Sequence, residues 1–196
     1  MRTEPYYVFT SDPQPVWDEA MAARCKDPEA PGHRALYAVH GISYEDNEIM
    51  SAAAERWICE LCDRPFRGLT EKGGPDAWDL IINGCTVDVK WNWREFATAD
   101  LCKKEDQPWC DLYVLVCGIT PEEFKSRGPL SIDKMVISGW QNRLHFPPDT
   151  APELPYPGYK IPMAELLDFG QLRARAIMTT ARDLDDPRYE ALTVRS

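Results

Sequence analysis

Three residues in one short stretch could do chemistry together: Asp79, Asp88 and Lys90, in DLIINGCTVDVKW. Asp79 and Asp88 lie on opposite sides of Asn83-Gly84, among the strongest short hairpin signals. A hairpin closed there brings the start of its first strand beside the end of its second, and with them the two carboxylates. Bare carboxylates at close range repel, and each raises the other's pKa. A hard divalent cation such as Mg²⁺ or Mn²⁺ relieves that repulsion and prefers oxygen ligands. Lys90, two residues beyond Asp88, shares its strand face. Phosphodiester hydrolysis needs these parts: a metal to polarise phosphate and acidify water, and a cation to orient the nucleophile or steady developing charge. The bland alternative is a solvated same-face pair of Asp88 and Lys90, worth little.

The surrounding elements can position such a group. DNEIMSAAAERWICELC (46–62) predicts a helix: alanines are frequent, and Ile49, Ala53, Trp57 and Leu61 recur on one face, with Pro65 and Gly68 ending it. Glu48 and Glu55 stand seven residues apart on one face of that helix. DLII and CTVDVKW flank the Asn-Gly turn, with Val87 and Val89 pointing one way and Asp88 and Lys90 the other. DLYVLVCGI (111–119) suits a strand buried on both faces, and MVISGW (135–140) is a further strand. A short helix is expected around Val16 to Arg24. The proline-rich stretch 146–162 predicts an extended surface connection. Leu166, Leu167, Phe169 and Leu172 suggest a closing amphipathic helix, interrupted or ended near Gly170, and the last dozen residues should fray. The expected class is α/β, a central mixed β-sheet flanked by helices.

GGPDAWDLIINGCTVDVKWNW resembles the metal-binding core of the PD-(D/E)XK nucleases, in which an acid precedes a hairpin whose second strand carries (D/E)-x-K, here Asp88-Val89-Lys90. The resemblance makes Asp79 the first acid, because DLIING leads directly into the turn; Asp76, which forms the literal Pro-Asp pair, is the alternative. AAERWICELCDRPF resembles the family's helical Glu before the hairpin, which favours Glu55 over Glu48. The likeness spans about residues 46–140, and the strand YVLV and the later Gly139-Trp140 are also similar to small stand-alone members from phages and mobile elements. It implies a restriction-endonuclease-like core, with Asp79, Asp88, Glu55 and the Val89 carbonyl around Mg²⁺ or Mn²⁺. It further implies that Lys90 positions the attacking water and that cleavage leaves a 5′-phosphate. On this division residues 1–45 form an N-terminal extension packed on the nuclease core 46–140, and 141–196 a C-terminal connection and closing helix, all within one domain.

At 196 residues with 44% hydrophobic and 28% charged content, the chain can bury a core and is not compositionally disordered. No apolar run is long enough to span a membrane and no signal peptide is evident, so a cytoplasmic protein without membrane association is expected. The net charge of −10 argues against a nucleic-acid-coating protein and predicts modest, salt-sensitive DNA binding. Half of that excess lies in the first fifty residues, nine acids against four bases.

Seven scattered cysteines read as reduced thiols; Cys59, Cys62, Cys102 and Cys110 could form a zinc or cluster site only through folding. Trp91 and Trp93 could stack a base but more commonly pack. Asn92, Arg94, Lys103 and Lys104 are candidates for phosphate contacts, and Arg173, Arg175 and Arg182 for a basic face, each against a solvated alternative. His33, His40 and His145 pair with no nucleophile motif. Two functions follow as expectations: a metal-dependent deoxyribonuclease, whose two-site cutting would favour a homodimer, or a non-catalytic acidic binding protein that mimics DNA on a nuclease-like fold.

Overall fold

The computed structural model describes residues 6–8, 44–66, 78–92, 98–102, 109–118, 134–145 and 158–189. In chain order the elements are β1 (Tyr6–Val8), α1 (Tyr44–Leu61), β2 (Leu80–Ile82), β3 (Cys85–Asn92), β4 (Thr98–Cys102), β5 (Leu112–Cys117), β6 (Lys134–Asn142), β7 (Gly158–Pro162) and α2 (Phe169–Leu184). Short 3₁₀ turns occupy Arg143–His145 and Met163–Glu165. The class is α/β. Five strands form one mixed sheet in the order β1-β6-β5-β3-β2, and β4 and β7 make a separate two-stranded ribbon. Within the larger sheet β3 and β5 are parallel and the other pairs antiparallel.

The hairpin forms at the predicted corner. Asn83 (φ 52°) and Gly84 (φ 76°) both take left-handed backbone, which lets a two-residue turn follow the twist of its strands. Val87 and Val89 are buried, and Asp88 and Lys90 alternate with them on the opposite face. Every residue of β5 is buried, as the apolar run predicted.

Helix α1 buries Ile49, Ala53 and Trp57 against the sheet. It ends before Pro65 is reached, and Gly68 lies outside the described residues. Asp63 adopts φ 54°, its N–H donates to the Glu60 carbonyl (3.2 Å), and the Arg64 N–H donates to the Cys59 carbonyl (2.8 Å). One left-handed residue thus doubles the chain back over the last carbonyls, a conformation that a short Asp side chain tolerates.

Three expectations for the C-terminal third need correction. The connection 146–162 ends in β7, paired with β4; residues 146–157 lie outside the described residues, as does the helix expected at 16–24. Gly170 does not interrupt or end the closing helix but sits in its first turn, because Asp168 caps the start and accepts the Gly170 N–H at 2.7 Å. Residues 185–189 do not fray: Arg188 donates to the Gly84 carbonyl (2.8 Å), and the Tyr189 hydroxyl accepts the Ile81 N–H (2.8 Å).

Both helices cover the same sheet face. Residues of α1 and α2 share one apolar cluster with Leu80, Ile82, Val87, Val89 and Val114. Among the described residues the second face is covered by side chains from irregular or terminal segments, Trp78, Leu166 and Tyr189, over Ile81, Tyr113 and Leu115. Gly139 makes the close approach of the Leu166-Leu167 segment feasible. A Cβ there would lie 2.5 Å from the Leu167 carbonyl oxygen, and its φ of 143° also disfavours a side chain. Trp140 and Leu167 can therefore exchange two backbone hydrogen bonds of 3.0 and 2.9 Å.

A buried hub fixes the hairpin against both helices. Arg64 donates to the carbonyls of Ile81, Cys62 and Ala176, to the hydroxyls of Thr179 and Thr180, and to Asp183. Asp183 in turn accepts both turn N–H groups, from Asn83 (2.7 Å) and Gly84 (3.1 Å). Every donor of the guanidinium fork finds an acceptor, which a buried charge requires.

Candidate active site

Asp79 sits at the bend before β2, where the backbone leaves the ladder. Its N–H still donates to the Val87 carbonyl (2.8 Å), and its side chain replaces the next ladder acceptor by taking the Val89 N–H at 2.6 Å. That contact ties Asp79 to the Asp88-Val89-Lys90 strand. One residue to either side, Lys90 Nζ and Asp88 Oδ2 form an ion pair of 2.7 Å, with 35% of the lysine and 15% of the aspartate side-chain surface exposed. Folding therefore gathers Asp79, Asp88 and Lys90 as the hairpin geometry predicted.

The local electrostatics carry a surplus of acid. Burial, Glu55 and Asp88 push the Asp79 carboxyl well above the usual carboxylate range, against the opposing pull of the Val89 N–H and Lys90. Asp88 is raised too, because burial outweighs its attraction to Lys90. For Lys90 burial disfavours the ammonium, but Asp88 and Asp79 more than compensate, so it stays charged. Two carboxylates and one ammonium in a half-buried site lack a positive charge.

Glu55 lies on α1, buried, and accepts a hydrogen bond from the Ser51 hydroxyl at 3.2 Å. It reaches Asp79 electrostatically; Glu48, also buried, stands seven residues earlier on the helix. The helix covers the Val87–Val89 face, while Asp88 and Lys90 point to the other; Asp79 stands between them. Accordingly, no group of three His, Cys, Asp or Glu among the described residues is gathered to hold one metal ion. The donors that are gathered, Asp79 and Asp88, supply hard oxygen ligands. A magnesium-like ion commonly takes one or two carboxylates and completes its shell with water and phosphate, so the pair fits such an ion without Glu55. Val89 contributes its N–H to Asp79, its side chain is buried, and it pairs with Val114.

Asp76, Trp93, Arg94, Lys103, Lys104, His33 and His40 lie outside the described residues. Asn92 is half-buried at the end of β3, opposite Cys117. Trp91 packs against the apolar cluster, and its buried indole N–H has no hydrogen-bond partner among the described residues. Arg173 donates to the Leu61 carbonyl (3.1 Å) and Arg182 faces the Asn83 amide oxygen (3.5 Å), while Arg175 is exposed. His145 is exposed beside Glu165. Cys59 and Cys62 are free thiols in the core, and burial raises both, Cys62 to about 12, which suits protonated packing groups.

Two neighbours were not visible in the sequence. Tyr113 stands opposite Asp88, and its hydroxyl accepts the Cys110 N–H at 3.1 Å. Burial, then the negative charge of Asp88, raises the pKa of both Tyr113 and Cys110. Only the β3–β5 register reveals them, and no local pattern encodes it.

Comparison with family models, with curated proteins and with solved structures finds no match to this chain.

Proposed function

We propose that the chain is a metal-dependent nuclease that hydrolyses phosphodiester bonds of DNA, on a restriction-endonuclease-like core. The observation that carries this reading is the Asp79 carboxylate bonded to the Val89 N–H beside the Asp88–Lys90 ion pair, with both carboxyls raised by burial. Ionising both carboxyls of such a site is unfavourable in the free protein, and a cation bound there would relieve that cost. Asp79 and Asp88 would hold Mg²⁺ or Mn²⁺, which when bound supplies Lewis-acid polarisation of a phosphate and acidification of water. Lys90, held by Asp88 and still one-third exposed, donates hydrogen bonds to the attacking water or to a phosphate oxygen. Glu55 adds negative charge on Asp79 from the helix side, which the same ion would relieve.

Purified protein should cut single- or double-stranded DNA with Mg²⁺ or Mn²⁺ and stop when the metal is chelated. Lys90→Ala and Asp88→Asn should each lower the rate by roughly 10²–10³-fold while thermal unfolding stays within a few degrees of wild type. Absence of cleavage of every DNA and RNA form with either metal would remove the enzymatic reading.

The second reading, an acidic binding protein that mimics DNA, draws on the net charge of −10 and on the ammonium being already paired with Asp88. Titration calorimetry with Mg²⁺ separates the two, since a mimic needs no two-carboxylate metal site.

A further inference from the structure

On the sheet face that carries Asp88 and Lys90, the geometry points to a single-stranded nucleic-acid subsite formed by Trp109 and Arg143. This inference rests on the nuclease reading for its orientation, not for its contacts. The Arg143 guanidinium is set over the Trp109 ring, 5.7 Å from its centroid. Arg143 is exposed, and among the described residues no carboxylate pairs with it. In a protein of net charge −10 most cations of this region are committed: Arg64 to Asp183, Lys90 to Asp88 and Arg188 to Asp186. Arg143 is instead held by an aromatic ring, which fixes a cation without neutralising it.

Its place in the sheet gives the direction of the strand. Asp88 is opposite Tyr113, and Tyr113 is opposite Gln141, so the row crosses two strand spacings, about 10 Å, before reaching the Arg143 turn. The Arg143 N–H donates to the Asp111 carbonyl (2.9 Å), which locks this turn to the start of β5. Tyr113 is the middle residue of that row, between Asp88 and Gln141. Trp109, partly buried and packed on the apolar cluster of this face, backs the guanidinium, and the next residue in the turn, Leu144, is 90% exposed.

A guanidinium held over an indole can take a phosphate and present its outer face to a base, a pairing by which proteins hold single strands, because a base inside a duplex offers no free face. The subsite would thus hold nucleotides flanking the one at Asp79 and Asp88, and would favour single strands over duplex.

The test is equilibrium binding of a short fluorescent oligothymidylate, with a chelator present so that no cleavage intervenes. Wild type should bind it more tightly than a duplex of equal length. Arg143→Ala should weaken binding about tenfold and reduce the slope of log K against log salt by about 0.7, the loss of one phosphate contact on a single strand. Trp109→Ala should cost about tenfold and Trp109→Phe much less; if Trp109→Ala does not fold, Arg143→Ala and Trp109→Phe carry the test. Undiminished affinity and slope in Arg143→Ala, preference for duplex, or no binding by wild type would each overturn the subsite. Loss of binding in these variants together with no hydrolysis in Mg²⁺ or Mn²⁺ would uphold the subsite and end the nuclease reading. Normal cleavage with unchanged binding in Arg143→Ala would do the reverse.

Discussion

Two acid–base pairs in this molecule have opposite characters. Arg64–Asp183 is closed to solvent, with 0% and 1% of the two side chains exposed, and every donor and acceptor around it is used. Lys90–Asp88 is half-open, and a second carboxylate, Asp79, stands beside it with Glu55 behind. The pKa directions follow that difference. For Asp183 burial alone would raise the carboxyl, but hydrogen bonds from Thr179, the turn N–H groups and Arg64 outweigh it and lower the value. For Asp88, one ammonium does not outweigh burial, and the value rises. A saturated pair stabilises architecture, whereas a pair with surplus charge waits for a ligand.

The comparison can be broken by removing its stronger member first. Arg64→Ala leaves Asp183 buried without its cation and should cost about 3–5 kcal/mol of stability, read by urea unfolding. A loss under about 1 kcal/mol would mean the hub behaves like a surface pair. At the half-open pair, Mg²⁺ at ten times its dissociation constant should add about 1.4 kcal/mol and raise the unfolding temperature by roughly 3–6 °C. Asp88→Asn should abolish that shift, and an equal shift in the variant would place the ion elsewhere. The sign of the pH response sharpens the contrast further. Asp183 has a lowered folded pKa, so its contribution is full above the unfolded value of about 3.9 and is lost as pH falls through the folded one. The stability gap between wild type and Asp183→Asn should therefore shrink on acidification below about pH 4; a gap that widens would contradict the assignment. The smallest expected effect is Tyr189→Phe, which deletes the bond to the Ile81 N–H for about 1 kcal/mol and would show no change if residues 185–189 fray as composition suggests.

What could be read from sequence was local. Asn83-Gly84 dictated the corner, alternation placed Asp88 and Lys90 on one face, and the corner then brought Asp79 to Val89. The apolar run 112–117 announced a strand covered on both faces. The hub was illegible because its partners are 119 residues apart and an arginine after a helix carries no mark of what will surround it. The α1 terminus falls where expected, at Leu61 against about Cys62, but the left-handed Asp63 that sets it carries no glycine-like mark in the sequence. The closing helix was misplaced because its apolar residues straddle the cap: Leu166 belongs to one sheet face and Phe169 to the other. That both helices lie on one face also follows from no pattern in either helix.

Strand β2 is only three residues long and ends the sheet, so one side of Ile81 should be left with bare polar backbone. It is not: Tyr189 takes its N–H and Arg64 Nε binds its carbonyl at 2.9 Å. Two side chains distant in the chain thus act as a fence on the border of the sheet. A chain shortened before Tyr189 would lift one rail of it, and offer a neighbouring molecule the start of an unwanted strand-to-strand contact.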